Sequence, residues 1–166
     1  MSTLPGQPHS RLRRIRNFLG RPWADKWLFV QAYLLLGVTR LAINTMPFPR
    51  LARYFGSRMV ETPEDAPVEH LRQARRVAWA IRRASPYTPW NSNCFPQALT
   101  AKILLRRRRI PSTLYLGSAI KKDEQILESH AWLRCGSLYV TGGNGRQHFA
   151  VLAAFGDDVS DSRTGM

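Results

Sequence analysis

The chain has 166 residues, carries 25 Lys and Arg against 11 Asp and Glu for a formal net charge of +14, and is 44% hydrophobic. That length fits one domain with a small appendage, and that apolar fraction supports a buried core, which excludes global disorder. Two cysteines exclude a disulfide scaffold, and the excess of positive charge favours acidic partners: an acidic peptide, an anionic membrane surface or nucleic acid.

Arg11, Arg13, Arg14 and Arg16 mark the start of the chain, with no apolar stretch and small-residue cleavage site after them, so a reducing cytoplasm is the expected compartment. Residues 1–10 read as loosely attached, and Leu12, Ile15, Phe18 and Leu19 recur at helical spacing before Gly20-Arg21-Pro22 stops them. Lys26 to Asn44 is a longer apolar helix at the lower edge of membrane-spanning length. Arg40 would be expensive at membrane depth, so this helix is expected to be buried or partner-facing, with peripheral membrane contact as a further expectation. Leu51 to Phe55 gives one more helical turn, and the acidic, proline-containing stretch Glu61 to Pro67 reads as a linker. From Pro67 to Ala84, Val68, Leu71, Ala74, Val77, Ala78 and Ile81 form an apolar stripe. The arginines opposite it read as a solvated face, so nucleic acid is not expected as a partner.

The next stretch, Trp90-Asn91-Ser92-Asn93-Cys94-Phe95-Pro96-Gln97, reads as a turn feeding a helix. Asn91, Ser92 and Asn93 are all capping residues, and Pro96 fits only in a first turn, where its missing N–H is not needed. The helix runs through Leu99, Ile103, Leu104 and Leu105 to Arg106–Arg109, and Ile110-Pro111 stops it. Ser112 to Gly117 is a strand, Ala119 to Glu128 a charged surface loop, and Ser129 to Cys135 with Leu138 to Thr141 a hairpin about Gly136-Ser137. Phe149 to Phe155 is a last strand and Asp157 to Met166 a polar tail. Helices followed by an antiparallel sheet make an α+β plan. The expected division is a helical N-terminal region over 1–60, a catalytic domain over 61–156 and a flexible tail over 157–166.

Cys94 stands at the positive end of a helix dipole, which stabilises a thiolate. His130 lies on a following strand, sharing a face with Trp132 and Arg134. Together they supply a nucleophile and its base, and the backbone N–H of Cys94 is a natural oxyanion donor. Asn91 or Asn93 is the candidate second donor, with helix capping as the plainer role of each. Taken singly, a free cysteine is usually a small buried hydrophobe and a strand histidine a satisfied polar group. No Cys/His spacing points to zinc, no glycine-rich loop ends in Gly-Lys-Ser/Thr, and no cofactor is indicated.

The order of these segments, from Pro89-Trp90-Asn91-Ser92-Asn93-Cys94 through Ile110-Pro111-Ser112-Thr113-Leu114-Tyr115-Leu116-Gly117 and His130-Ala131-Trp132-Leu133 to Val140-Thr141-Gly142-Gly143, resembles one family. It is similar to the transglutaminase-like cysteine peptidases of lasso-peptide biosynthesis, which remove the leader from a ribosomally made precursor. The resemblance implies a papain-like, transglutaminase-core fold with Cys94 at the helix start packed against the His130 strand. It also implies three partners: the precursor peptide, a small leader-recognition protein that presents it, and an ATP-using lasso cyclase. The family's usual pattern has an Asp on the strand after the histidine. If Gly136-Ser137 is a two-residue turn, Cys135 pairs with Leu138, Trp132 with Thr141 and His130 with Gly143, so the Asp position falls near Gly142. Thr141, Asn144 or a backbone carbonyl is then left to orient His130, and an Asp introduced at Gly142 is expected to raise the rate if that glycine does not need a positive φ. Two other functions fit the same residues: an acyl transferase or transglutaminase-like enzyme using the same dyad, and a non-catalytic basic binding module.

Overall fold

The computed structural model describes residues 20–121 and 126–157. The helical spacing at Leu12–Leu19, residues 1–10, residues 158–166 and the tip of the charged segment at 122–125 lie outside them. The described residues form helices α1 (Trp23–Thr45), α2 (Phe48–Ala52), α3 (Val68–Ala84) and α4 (Cys94–Arg106). They also form strands β1 (Ser57–Arg58), β2 (Thr113–Lys121), β3 (Ile126–Cys135), β4 (Leu138–Thr141) and β5 (Ala150–Gly156). The sheet runs β1-β5-β2-β3-β4 with every neighbour antiparallel, and the α+β expectation holds.

The helices pack on one side of the sheet. Strand alternation turns Ala131, Leu133 and Cys135 into the main core with Leu99, Leu104 and Leu105 of α4 and Val77 and Ile81 of α3. Tyr115, Trp132 and Ala154 make a smaller cluster on the other side. α4 is buried nearly all round, which explains why its sequence lacks a clean polar face. One of its buried residues is charged: Lys102, 1% exposed, bonds the carbonyl of Ser112 at 2.6 Å and pairs with Asp157 at 2.9 Å. Asp157, expected in the tail, therefore ties the end of β5 to α4.

α1 buries Leu28, Ala32, Leu36 and Thr39 against α3 and α4, and its buried Asp25 pairs with Arg76 at 2.7 Å. Its other face carries Trp23, Trp27, Leu34, Val38 and Leu41 exposed. By length and composition α1 is also apolar enough to cross a membrane.

Three local expectations change. Ala119 to Lys121 and Ile126 to Glu128 are strand where a charged loop over Ala119 to Glu128 was expected: β2 and β3 stay paired from Thr113↔Arg134 out to Lys121↔Ile126, with Ile120 and Leu127 opposite each other. The stretch from Glu61 is pinned, not slack, since the Thr62 and Thr113 hydroxyls bond at 2.8 Å and Glu61 accepts from Tyr115 Oη at 2.7 Å. Among the α3 arginines, Arg76 is no part of a solvated face, being held by Asp25.

Candidate active site

Cys94 is the first residue of α4 and is half-buried, whereas Cys135 is fully enclosed in the core. Several contacts fix the helix start. Thr39 of α1 donates to the carbonyl of Pro96 at 3.4 Å and shares a 3.2 Å hydroxyl contact with Thr100. Phe95 meets the edge of Phe55 with ring centres 6.0 Å apart. Upstream, Trp90 rests on Gly37 and Tyr33 of α1; a Cβ at Gly37 would come within 2.9 Å of the indole. The Thr88 and Ser92 hydroxyls bond at 2.8 Å, and Gln97 Nε2 reaches back to the Ser92 carbonyl at 2.7 Å.

Asn93 is the residue before the helix, but its side chain makes no capping bond. Part of the reason lies three residues on. A capping side chain bonds the second or third helical N–H, and Pro96 in third place has none, which leaves only that of Phe95. Asn91 and Asn93 are both exposed beside Cys94, and the first-turn N–H groups of Cys94 and Phe95 carry no side-chain cap. An oxyanion site needs donors of this kind, fixed by backbone and not taken up by a side-chain cap.

His130 lies on β3 with its ring stacked between Trp132, at 5.6 Å, and Phe149, at 4.8 Å. Its Nε2 is 2.8 Å from the carbonyl oxygen of Gly142. A carbonyl only accepts, so Nε2 is the protonated nitrogen in this bond and Nδ1 is left as the free base. Of the orienting groups open in the sequence, the backbone carbonyl is the one that bonds the imidazole. Thr141 and Asn144 do not: the Thr141 hydroxyl is buried without a partner and Asn144 is exposed. The expected register explains the difference. Cys135 pairs with Leu138 as anticipated, but a bulge at Val140 then places Thr141 opposite Leu133 instead of Trp132. Gly142, with φ +65, follows that bulge and turns its carbonyl to His130.

Among the described residues the thiol and the imidazole have different partners. Cys94 packs against the helix-side core, His130 belongs to the Trp132 side of β3, and among the described residues no hydrogen bond joins them. Near both lies a cleft of about 430 Å³, bounded by α3, α4 and the end of β4 and lined by neither Cys94 nor His130. Gln97, one helical turn after Cys94, lines it from α4, and Gly142, which holds His130, lines it from the end of β4.

A half-buried cysteine at a helix start, on an antiparallel sheet that carries a histidine held through Nε2, matches the layout of cysteine-dependent acyl-transfer proteins. The sequence model of the transglutaminase-like superfamily matches residues 42–154, more than half of the chain, and the chain belongs to that superfamily. Its members are generally enzymes, cysteine peptidases and transferases. Most of α1 precedes the matched region, yet α1 supplies the seat for Trp90 and the bond to Pro96. Gly37 amid large apolar residues was the sequence signal for that contact. No curated protein and no solved structure matches the chain.

Proposed function

We propose that the protein is a cysteine peptidase that removes the leader from a ribosomally synthesised lasso-type precursor, with Cys94 as nucleophile and His130 as base. The observation that carries this is the His130–Gly142 bond, because it leaves Nδ1 as the acceptor for a thiol proton. The order of motifs from Trp90 to Gly143 supports the substrate class.

In the proposed reaction Nδ1 takes the Sγ proton and the thiolate attacks the scissile carbonyl. The oxyanion is received by the Cys94 N–H, with the amide of Asn91 or Asn93 as second donor. The imidazolium returns its proton to the leaving amine, and water then hydrolyses the thioester. No hydrogen bond joins Sγ to the imidazole among the described residues, so this reaction requires that bond to form when the substrate binds. The precursor is presented by a small recognition protein, and the released core passes to an ATP-using cyclase. The exposed α1 stripe, with Arg21 and Lys26 beside its Trp23 end, supports peripheral membrane contact by a cytoplasmic enzyme.

The superfamily assignment also supports an acyl transferase, in which an amine resolves the same thioester. Mass spectrometry of the precursor after incubation with the enzyme and its recognition partner separates the two. A free carboxylate at the leader's end, absent with Cys94→Ala, is the expected product. A new amide at that carbonyl makes the enzyme a transferase, and processing by Cys94→Ala removes the dyad altogether.

A further inference from the structure

The cleft between α3, the start of α4 and the end of β4 has an unusual charge balance. Arg82 and Arg146 line it together with Gln97, Thr141, Gly143 and Asn144, and among the described residues no carboxylate does. Arg82 is exposed and, among the described residues, has no ion-pair partner. Arg146 lies over the Tyr139 ring at 3.8 Å and gives one N–H to the Gly143 carbonyl at 2.9 Å, leaving its other donors for a ligand. Thr141 is only 8% exposed, and its hydroxyl has no hydrogen-bond partner. A buried hydroxyl is rarely left so, and here it borders a cleft of donors.

We propose that this cleft is a substrate subsite for a carboxylate-bearing peptide side chain close to the scissile bond. Arg82 and Arg146 pair with the carboxylate, and Thr141 and Asn144 add hydrogen bonds to it or to the adjoining peptide group. Its position fits this role. Gln97 follows Cys94 by one helical turn, and Gly142 holds His130, so a peptide laid across the catalytic pair extends into the cleft. The proposal rests on the peptide-cleaving reading above and gives that substrate a local chemistry: acidic at the residue that enters here.

The test is calorimetric titration of the full chain carrying Cys94→Ala with two acetylated, amidated octapeptides, identical except for one central Glu or Gln. Charge-assisted bonds from two arginines predict about tenfold tighter binding of the Glu peptide at low salt. That ratio should fall to about one in Arg82→Gln/Arg146→Gln and persist in Arg50→Gln/Arg53→Gln, which removes the same charge elsewhere. Equal affinity for both peptides, or a ratio that survives Arg82→Gln/Arg146→Gln, overturns the subsite. If Arg146→Gln does not fold, the exposed Arg82→Gln alone must lower the ratio by about threefold, and an unchanged ratio there also overturns it. Because binding is read without turnover, a Glu preference of the Cys94→Ala chain, with wild type cutting no precursor, sinks the peptidase reading and leaves the subsite. Cleavage of precursors with no Glu preference does the reverse.

Discussion

Replacing Gly142 tests the bond on which the site depends. Gly142 has φ +65, and a Cβ there would lie 2.3 Å from the Ala131 carbonyl oxygen and 2.9 Å from Cβ of Trp132. The left-handed conformation alone costs roughly 1–2 kcal/mol for a residue with a Cβ. The clash is with backbone, so no side chain can swing aside. Moving the Ala131 contact from 2.3 Å to an ordinary 3.4 Å opens the end of the β3–β4 pair. The opening is about 1 Å, which stretches the His130–Gly142 bond from 2.8 Å past hydrogen-bond reach. Losing that bond adds about 1 kcal/mol, for a total of about 2–3 kcal/mol. In a protein of this size that lowers Tm by roughly 5–10 °C. Gly142→Ala and Gly142→Asp should both show this drop by calorimetry and process precursor at least tenfold more slowly. The Asp variant is the sharper case: it adds the carboxylate usual in the family, but the positive φ withdraws the condition under which that change was expected to help. A Gly142→Asp protein that melts like wild type, or cuts faster, refutes the reasoning.

Iodoacetamide at neutral pH should modify Cys94 well before Cys135, whose thiol is fully enclosed and pushed up in pKa by burial; equal labelling by peptide mapping contradicts this. Asp157→Asn should destabilise the fold by about 3 kcal/mol, because it leaves the buried Lys102 ammonium without its countercharge. Burial holds Lys102 below its ordinary 10.5, so the fold binds fewer protons than the unfolded chain just below that value and stability rises with pH there. Without Asp157 the window reaches lower, and the variant's Tm deficit should shrink between pH 7 and 9.5; a constant deficit excludes Lys102 as the cause. Trp23→Ser/Trp27→Ser, both exposed, should weaken co-sedimentation with anionic vesicles by about tenfold while leaving Tm unchanged, and unaltered sedimentation would remove α1 from the membrane.

The elements that announce themselves by period were legible in the sequence. The α3 stripe, the helix begun by Cys94 and the hairpin about Gly136-Ser137 all appear, with bounds shifted by a few residues. What escaped depends on long-range contacts. A two-residue turn fixes the register only next to the turn, and the bulge at Val140 is a response to packing that composition does not encode. The same holds for Lys102 and Asp157, which lie 55 positions apart and reveal themselves only when α4 meets the end of β5. The side of β3 occupied by His130 was visible in the alternation with Trp132. Which face of β3 meets the Cys94 helix was not, because that depends on the side the helices choose.

The carbonyl that stands where the family has a carboxylate changes what the missing acid should cost. In a serine-peptidase triad, exchanging Asp for Asn slows the reaction by about 10⁴-fold, largely because an amide can donate and so holds the wrong tautomer. Gly142 offers an oxygen that cannot donate, so it selects Nε2–H and Nδ1 as base as strictly as a carboxylate would. Orientation is therefore retained, with the Trp132 and Phe149 rings limiting the imidazole's rotation. What is lost is the negative charge that would stabilise the imidazolium once the thiol proton has moved. A carbonyl dipole supplies part of that, and a cysteine needs less of it than a serine, because its proton leaves more readily and the thiolate is already a strong nucleophile. In the proposed dyad, a thiol nucleophile and a carbonyl aimed by the bulged strand end would together make the acid dispensable. The glycine at position 142 is the sequence's record of that arrangement: the conformation that aims the carbonyl excludes the Asp side chain it replaces.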